Sequence, residues 1–243
     1  MAEDEIVKHT RAVYKAWKNP NTGWQQKFRE IVTEVLIITF AISLSVWLHN
    51  LSDRYNERKE ERAFLSGLRI DLQGDLDNAL SSKLFYNNAF SGFAYFDSVS
   101  RGAPFSQDSV IKYQPIFFSH THLDAHYSRY EALKASGKFD IIENKDLLNK
   151  IILLHESTFK RAESLDAYYY EFSQRLCNYV QEHAELNASG TQLEHLESLL
   201  HVSQMRWLMV NGKSFISSNV VGSYDNCINQ CRELLASINT ANN

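Results

Sequence analysis

IVTEVLIITFAISLSVWL, residues 31–48, carries a single charge, Glu34, in eighteen positions. At about 1.5 Å of rise per residue, a helix of this length extends about 27 Å, close to the hydrocarbon thickness of a bilayer. Trp24 and Trp47 stand at or just outside its ends, where indole rings favour the membrane interface, and Lys27, Arg29, Arg54 and Arg58 flank it. A core helix this long normally shows a polar stripe, and this run shows none. The sequence after it, HNLSDRYNERKEER, lacks the small-residue pattern of a cleavage site, so a removed signal peptide is not expected. The stretch predicts a transmembrane helix over residues 24–50, with the lipid bilayer as its partner.

Upstream, residues 1–23 form a polar N-terminal head ending in the breaker NPNTG. Positive residues decide orientation, and they are balanced here. Arg11, Lys15, Lys18, Lys27 and Arg29 face Arg54, Arg58, Lys59, Arg62 and Arg69 across the run. The head carries no export signal, which favours the N-terminus inside and the helical domain outside the cytoplasm.

Downstream, no proline occurs between Gln25 and Ser100, so the helix is expected to continue as a long extramembrane helix over residues 51–100. Its packing face is predicted from Leu65, Leu68, Leu72, Leu76, Leu80 and Leu84, at steps of three and four. Gly67 and Gly74 each weaken a helix by about 1 kcal/mol relative to alanine, so packing must support it. SRGAP, residues 100–104, ends it. Residues 101–144 read as a connecting loop with Pro104 and Pro115, then a short helix with a C-cap at Gly137. Asn144 reads as the next N-cap.

Residues 145–243 read as the remainder of a helical bundle. Leu147, Ile151, Leu154, Thr158, Ala162, Leu165, Tyr169, Phe172, Leu176 and Val180 form one long core face. NASG, residues 187–190, breaks that helix. Another is expected from about residue 191 to 210, then a turn at NGKS. The last repeats strictly through Val220, Tyr224, Cys227, Cys231, Leu234 and Ile238. Nine glycines and three prolines, none beyond Pro115, suit helices better than strands. The fold class expected is all-α: a single transmembrane helix continuing into a long helix and a helical-bundle domain.

Composition narrows the function. A net charge of −4 and a pI near 6.1 argue against a nucleic-acid partner. Three cysteines are too few for a disulfide framework. Cys227 and Cys231 fall on the core face as small hydrophobes, and Cys177 pairs with one of them only if those faces meet in an oxidising compartment.

HTHLDAH, residues 120–126, resembles metal chemistry, because a His-x-His after a strand is how an amidohydrolase site begins. His120, His122 and Asp124 would serve such a hydrolase, and His120, His122 and His126 a lone zinc. A barrel of that kind needs about 250 residues, whereas about 120 helical ones follow. A bundle metal site uses Glu-x-x-His pairs, and the chain has none. The segment reads as a polar loop before a short helix, with no metal and no cofactor. Serine triads, phosphate loops and nucleophile elbows are also missing from the sequence.

Glu34 is costly inside a span unless it has a partner or water. Glu34, Ala41 and Ser45 lie within about 20° of one line on a helix, and small residues there allow close approach. They read as a span interface, with Glu34 either joining helices or snorkelling to the surface.

The segment KFREIVTEVLIITFAISLSVWLHNLSDRYNERKEERAFLSGLRIDLQGDL resembles an uncharacterised family of bacterial single-pass inner-membrane proteins, a domain of unknown function. The matching residues are Glu34, Asn50, Glu57, Arg58, Lys59, Leu65, Leu68, Asp71 and Leu72. YEALKASGKFDIIENKDLLNKI is similar to a second signature of that family, at Ser136, Gly137, Ile142, Asn144 and Leu147. The resemblance covers about a third of the chain and implies placement in a bacterial inner membrane, with no activity attached. Three functions are in contention. The first is a non-enzymatic membrane-anchored module that binds a partner or transmits a signal, as a homo-oligomer or a subunit of a membrane complex. The second is an oligomeric channel or membrane-acting effector with Glu34 at the span interface. The third is a metal hydrolase.

Overall fold

The computed structural model describes residues 11, 14, 24–190 and 193–241. The polar head therefore lies almost wholly outside the described residues. The fold is all-α, and the chain divides into two compact units, Met1–Glu60 and Glu61–Asn243. Helix α1, Trp24–Ser100, contributes to both.

In the first unit, an 18-residue window of α1 reaches a mean hydropathy of 2.2, and none of it is buried. Within residues 31–48 only Ile31, Glu34 and Ile38 are even half-buried. The hydroxyls of Thr33 and Thr39 each donate to the carbonyl four residues back, at 2.8 Å. Polar groups satisfied inside the helix are what a hydrocarbon environment demands.

The second unit has its own core. On α1 it begins with Leu65, Leu68, Leu72 and Leu76, as the spacing predicts. It continues through Ala79, Tyr86, Ala89, Phe93, Phe96 and Val99, and not through Leu80 and Leu84, which are 39% and 62% exposed. A step of four advances about 40° round a helix, so Leu84 is turned about 120° from Leu72, whereas steps of seven stay on the face.

Helix α2, Gln107–Tyr113, occupies part of the expected loop. Ser106 caps it by accepting from the Ser109 N–H, and a 3₁₀ turn containing Pro115 follows. Residues 119–127 then run without helix to α3, Ser128–Ser136. Gly137 ends α3 with φ 67°, a left-handed value suited to glycine. The Asn144 side chain caps α4, Lys145–Leu153, at 3.1 Å from the Leu147 N–H. Helix α5, Phe159–His183, follows a π turn at Leu154–Thr158, so the expected long helix is interrupted once. Its predicted face is buried, except that Leu165 is half-buried.

Beyond α5, NASG makes a hairpin. Two short strands, β1 (Glu185–Leu186) and β2 (Leu193–Glu194), pair antiparallel with Glu185 opposite Glu194. The helix expected from about residue 191 is instead α6, Leu196–Leu200, and α7, Ser203–Phe215. NGKS makes no turn: residues 211–214 are helical, and a π turn at Ile216–Val220 leads into α8, Val221–Ala241. Packing overrides the turn signal. Gly212 is buried so close to Phe93 that a Cβ would sit 2.8 Å from the ring, and Lys213 pairs with Asp97 at the end of α1. All six predicted core residues of α8 and its π turn, Val220 to Ile238, are buried.

Gly212→Ala should therefore overpack this contact and lower stability by about 1–3 kcal/mol in chemical denaturation. Gly222→Ala, with nothing within 4 Å of its Cβ position, should raise stability slightly through helix propensity.

Candidate functional site

Residues 119–127, which contain HTHLDAH, are held to the bundle by two buried carboxylates. Asp166 on α5 is 3% exposed and takes three hydrogen bonds. The Tyr86 hydroxyl of α1 donates to Oδ1 at 2.7 Å, the Tyr224 hydroxyl of α8 to Oδ2 at 2.7 Å, and the Leu123 N–H to Oδ2 at 2.8 Å. Tyr86 packs edge-on to Tyr169 with ring centres 5.1 Å apart, which fixes its ring. Burial raises the pKa of Asp166 above the usual carboxylate value, and the bonds from Tyr86, Tyr224 and Leu123 oppose it. Burial likewise raises both tyrosines, helped by the Asp166 charge. They remain hydrogen donors at neutral pH.

Asp75 on α1 is the second carboxylate. Its Oδ1 accepts from the His126 N–H at 2.8 Å and lies 2.7 Å from His126 Nδ1. Between these anchors, the Asp124 N–H donates to Asn78 Oδ1 at 3.0 Å, and the Thr121 and Ser82 hydroxyls share a bond of 3.0 Å. Backbone amides of an unpaired strand would otherwise need solvent, and polar side chains on α1 and α5 supply their acceptors.

The segment and α5 frame an open groove of about 380 Å³, lined by His120, His122, Leu123, Glu163, Asp166 and Tyr170 among others. His120 meets the edge of Tyr170 with centres 4.7 Å apart. His120 and His122 are exposed, and His126 is engaged by Asp75. Among the described residues, His120, His122, Asp124 and His126 form no convergent set of metal-ligand atoms. The set that does converge is Glu185, Glu194 and His195, all exposed at the hairpin. Of the groove's titratable groups, Asp166 has both oxygens bonded and Glu163 accepts from the Tyr127 hydroxyl.

The predicted span residues lie on α1 in the first unit, with Glu34 half-buried and Ala41 and Ser45 exposed. All three cysteines are free, so Cys177 pairs with neither Cys227 nor Cys231 in this structure. Asp75, Asp166, Tyr86 and His155 are not marked by the sequence pattern, and Tyr224 is marked only as a core position. A signal existed: Asp75 and Asp166 sit among core positions of amphipathic helices, where a charge requires partners. Compared with known proteins, the chain matches no family model, no curated protein and no solved structure.

Tyr224→Phe removes one of three donors to Asp166 and should cost about 1–3 kcal/mol in chemical denaturation. His120→Ala and His122→Ala, both at exposed positions, should change stability by no more than about 0.5 kcal/mol. Elemental analysis of the purified protein should find no stoichiometric zinc, iron or manganese, and a tightly held ion lost in His122→Ala would contradict this.

Proposed function

We propose that the chain is a non-enzymatic, membrane-anchored helical module that binds a partner or transmits a signal. The observation that carries this reading is the window of mean hydropathy 2.2 with none of it buried. The core helix of a soluble protein would bury such a surface. Here the second unit has a complete core of its own, from Leu65 to Ile238. An apolar stretch left with no protein cover is best matched by lipid.

The anchor sits in the inner membrane of a bacterium, in keeping with the single-pass family that segments 34–72 and 136–147 resemble, and the N-terminus is read as inside. Glu34, Ala41 and Ser45 form a helix–helix contact in a homo-oligomer or a complex. Interhelical hydrogen bonds in membranes contribute only about 0.6–2 kcal/mol each, so this contact needs support from the helical domain. In the groove, Asp166 and Glu163 accept hydrogen bonds from within the fold, a structural use of both carboxylates.

The protein should remain in membranes through a carbonate wash. Single-cysteine cross-linking along residues 34–46, in a background lacking the native cysteines, should peak at 34, 41 and 45. Uniform or absent cross-linking would remove the interface and leave Glu34 as a snorkelling residue. Release by carbonate would remove the anchor itself.

A further inference from the structure

The two oxygens of Asp75 differ. Oδ1 holds His126, whereas Oδ2 has no hydrogen-bond partner among the described residues. His155, fully buried in the first π turn, has Nδ1 2.9 Å from the Ile151 carbonyl oxygen. A carbonyl only accepts, so Nδ1 carries the hydrogen and Nε2 is a bare lone pair. Nε2 also has no partner among the described residues. Asp75 and His155 act on each other electrostatically.

Charges facing this cluster come from every element packed on it. Asp71 of α1 is held by Arg129 at 2.9 Å. Asp124 lies on the segment itself. Glu156 of the π turn is held by Lys134 and Lys160. Glu163 of α5 accepts from Tyr127. Cys231 of α8 is a neutral thiol, because burial pushes its pKa up. Among the described residues, His126 is the only cationic group in hydrogen-bond contact with Asp75.

We propose that Asp75 and His126 form a proton-operated latch. Protonated His126 fastens residues 119–127 to α1, and loss of that proton loosens them. Solvent reaches the imidazole, whose side chain is 57% exposed, but not the carboxylate, at 0%. Deprotonation removes the counter-charge and leaves the buried carboxylate only neutral donors, the backbone N–H and the Nδ1–H of His126, both on Oδ1, while His155 offers it only another acceptor. A buried charge without its opposite charge is unfavourable, and lifting the segment's end rehydrates it.

The direction with pH follows. The hydrogen bond to Asp75 raises His126, so its stabilisation is complete below about pH 6.5 and is lost as pH rises through the raised value. Burial raises Asp75, which acts in the same sense, since its neutral form is lost as pH rises. Burial lowers His155, whose contribution is present above about pH 6.5 and lost as pH falls through the lowered value. Alkali therefore opens the latch. The pair titrates as a unit. This inference rests on the second unit alone and stands apart from the membrane reading.

The test is amide hydrogen exchange on the full chain in detergent micelles, at about pH 6 and about pH 8.5, either side of the histidine range. Protection factors, corrected for intrinsic exchange, should fall at Leu123, Asp124 and His126 between the two pH values, while α5 is unchanged. Asp75→Asn keeps an acceptor for His126 and places an NH₂ where the bare oxygen was. It should stay protected at both pH values. His126→Asn supplies only a neutral donor and should exchange fast at both. Equal protection of the wild-type segment at the two pH values overturns the latch, whether or not the variants fold. So does an Asp75→Asn protein that keeps the pH dependence.

Discussion

The Asp166 carboxylate is the point on which the second unit depends. It joins α1 through Tyr86, α8 through Tyr224 and the non-helical segment through the Leu123 N–H, from a position that is itself on α5. A charge this deeply buried would be strongly destabilising alone. Three donors at 2.7–2.8 Å make it a junction that fixes the relative register of three helices. Apolar packing alone tolerates many arrangements, whereas a buried acceptor with three assigned donors tolerates very few.

Residues 119–127 follow from the same constraint. An extended segment lying on a bundle must find partners for its backbone, and here Asp166, Asn78 and Asp75 provide them. The HTHLDAH pattern thus has a structural explanation. Leu123 points into the core at 4% exposure, while His122 and Asp124 on either side of it, and His120 before them, are exposed, and His126 ends the segment on Asp75. The alternation that suggests metal chemistry is the alternation of a strand-like stretch with one face covered.

Features set by local periodicity were legible in the sequence. The 220–238 stripe, the Gly137 cap, the Asn144 cap and the leucines Leu65, Leu68, Leu72 and Leu76 of α1 depend on neighbours within a turn or two. Features set by contacts between distant segments were not. Leu80 and Leu84 leave the core because steps of four drift round the helix, and the residues that replace them, Ala79 and Tyr86, are a small residue and a tyrosine that leucine counting overlooks. NGKS stays helical because Gly212 admits Phe93 and Lys213 reaches Asp97, partners more than a hundred residues away. The two π turns have no composition signal, and the bond between Thr158 and Gln230 of α8 is visible only in three dimensions. Asp75 and Asp166 were visible as charges on core faces, but their partners were not.

The central claim is that residues 31–48 face lipid while the second unit keeps its apolar residues to itself. Its most direct test is carbene photolabelling of the full chain in proteoliposomes with a lipid-dissolved reagent, mapped by mass spectrometry. The account predicts dense labelling confined to residues 31–48 and little over 61–241. Labelling absent from 31–48, or spread evenly over the helical domain, would contradict it.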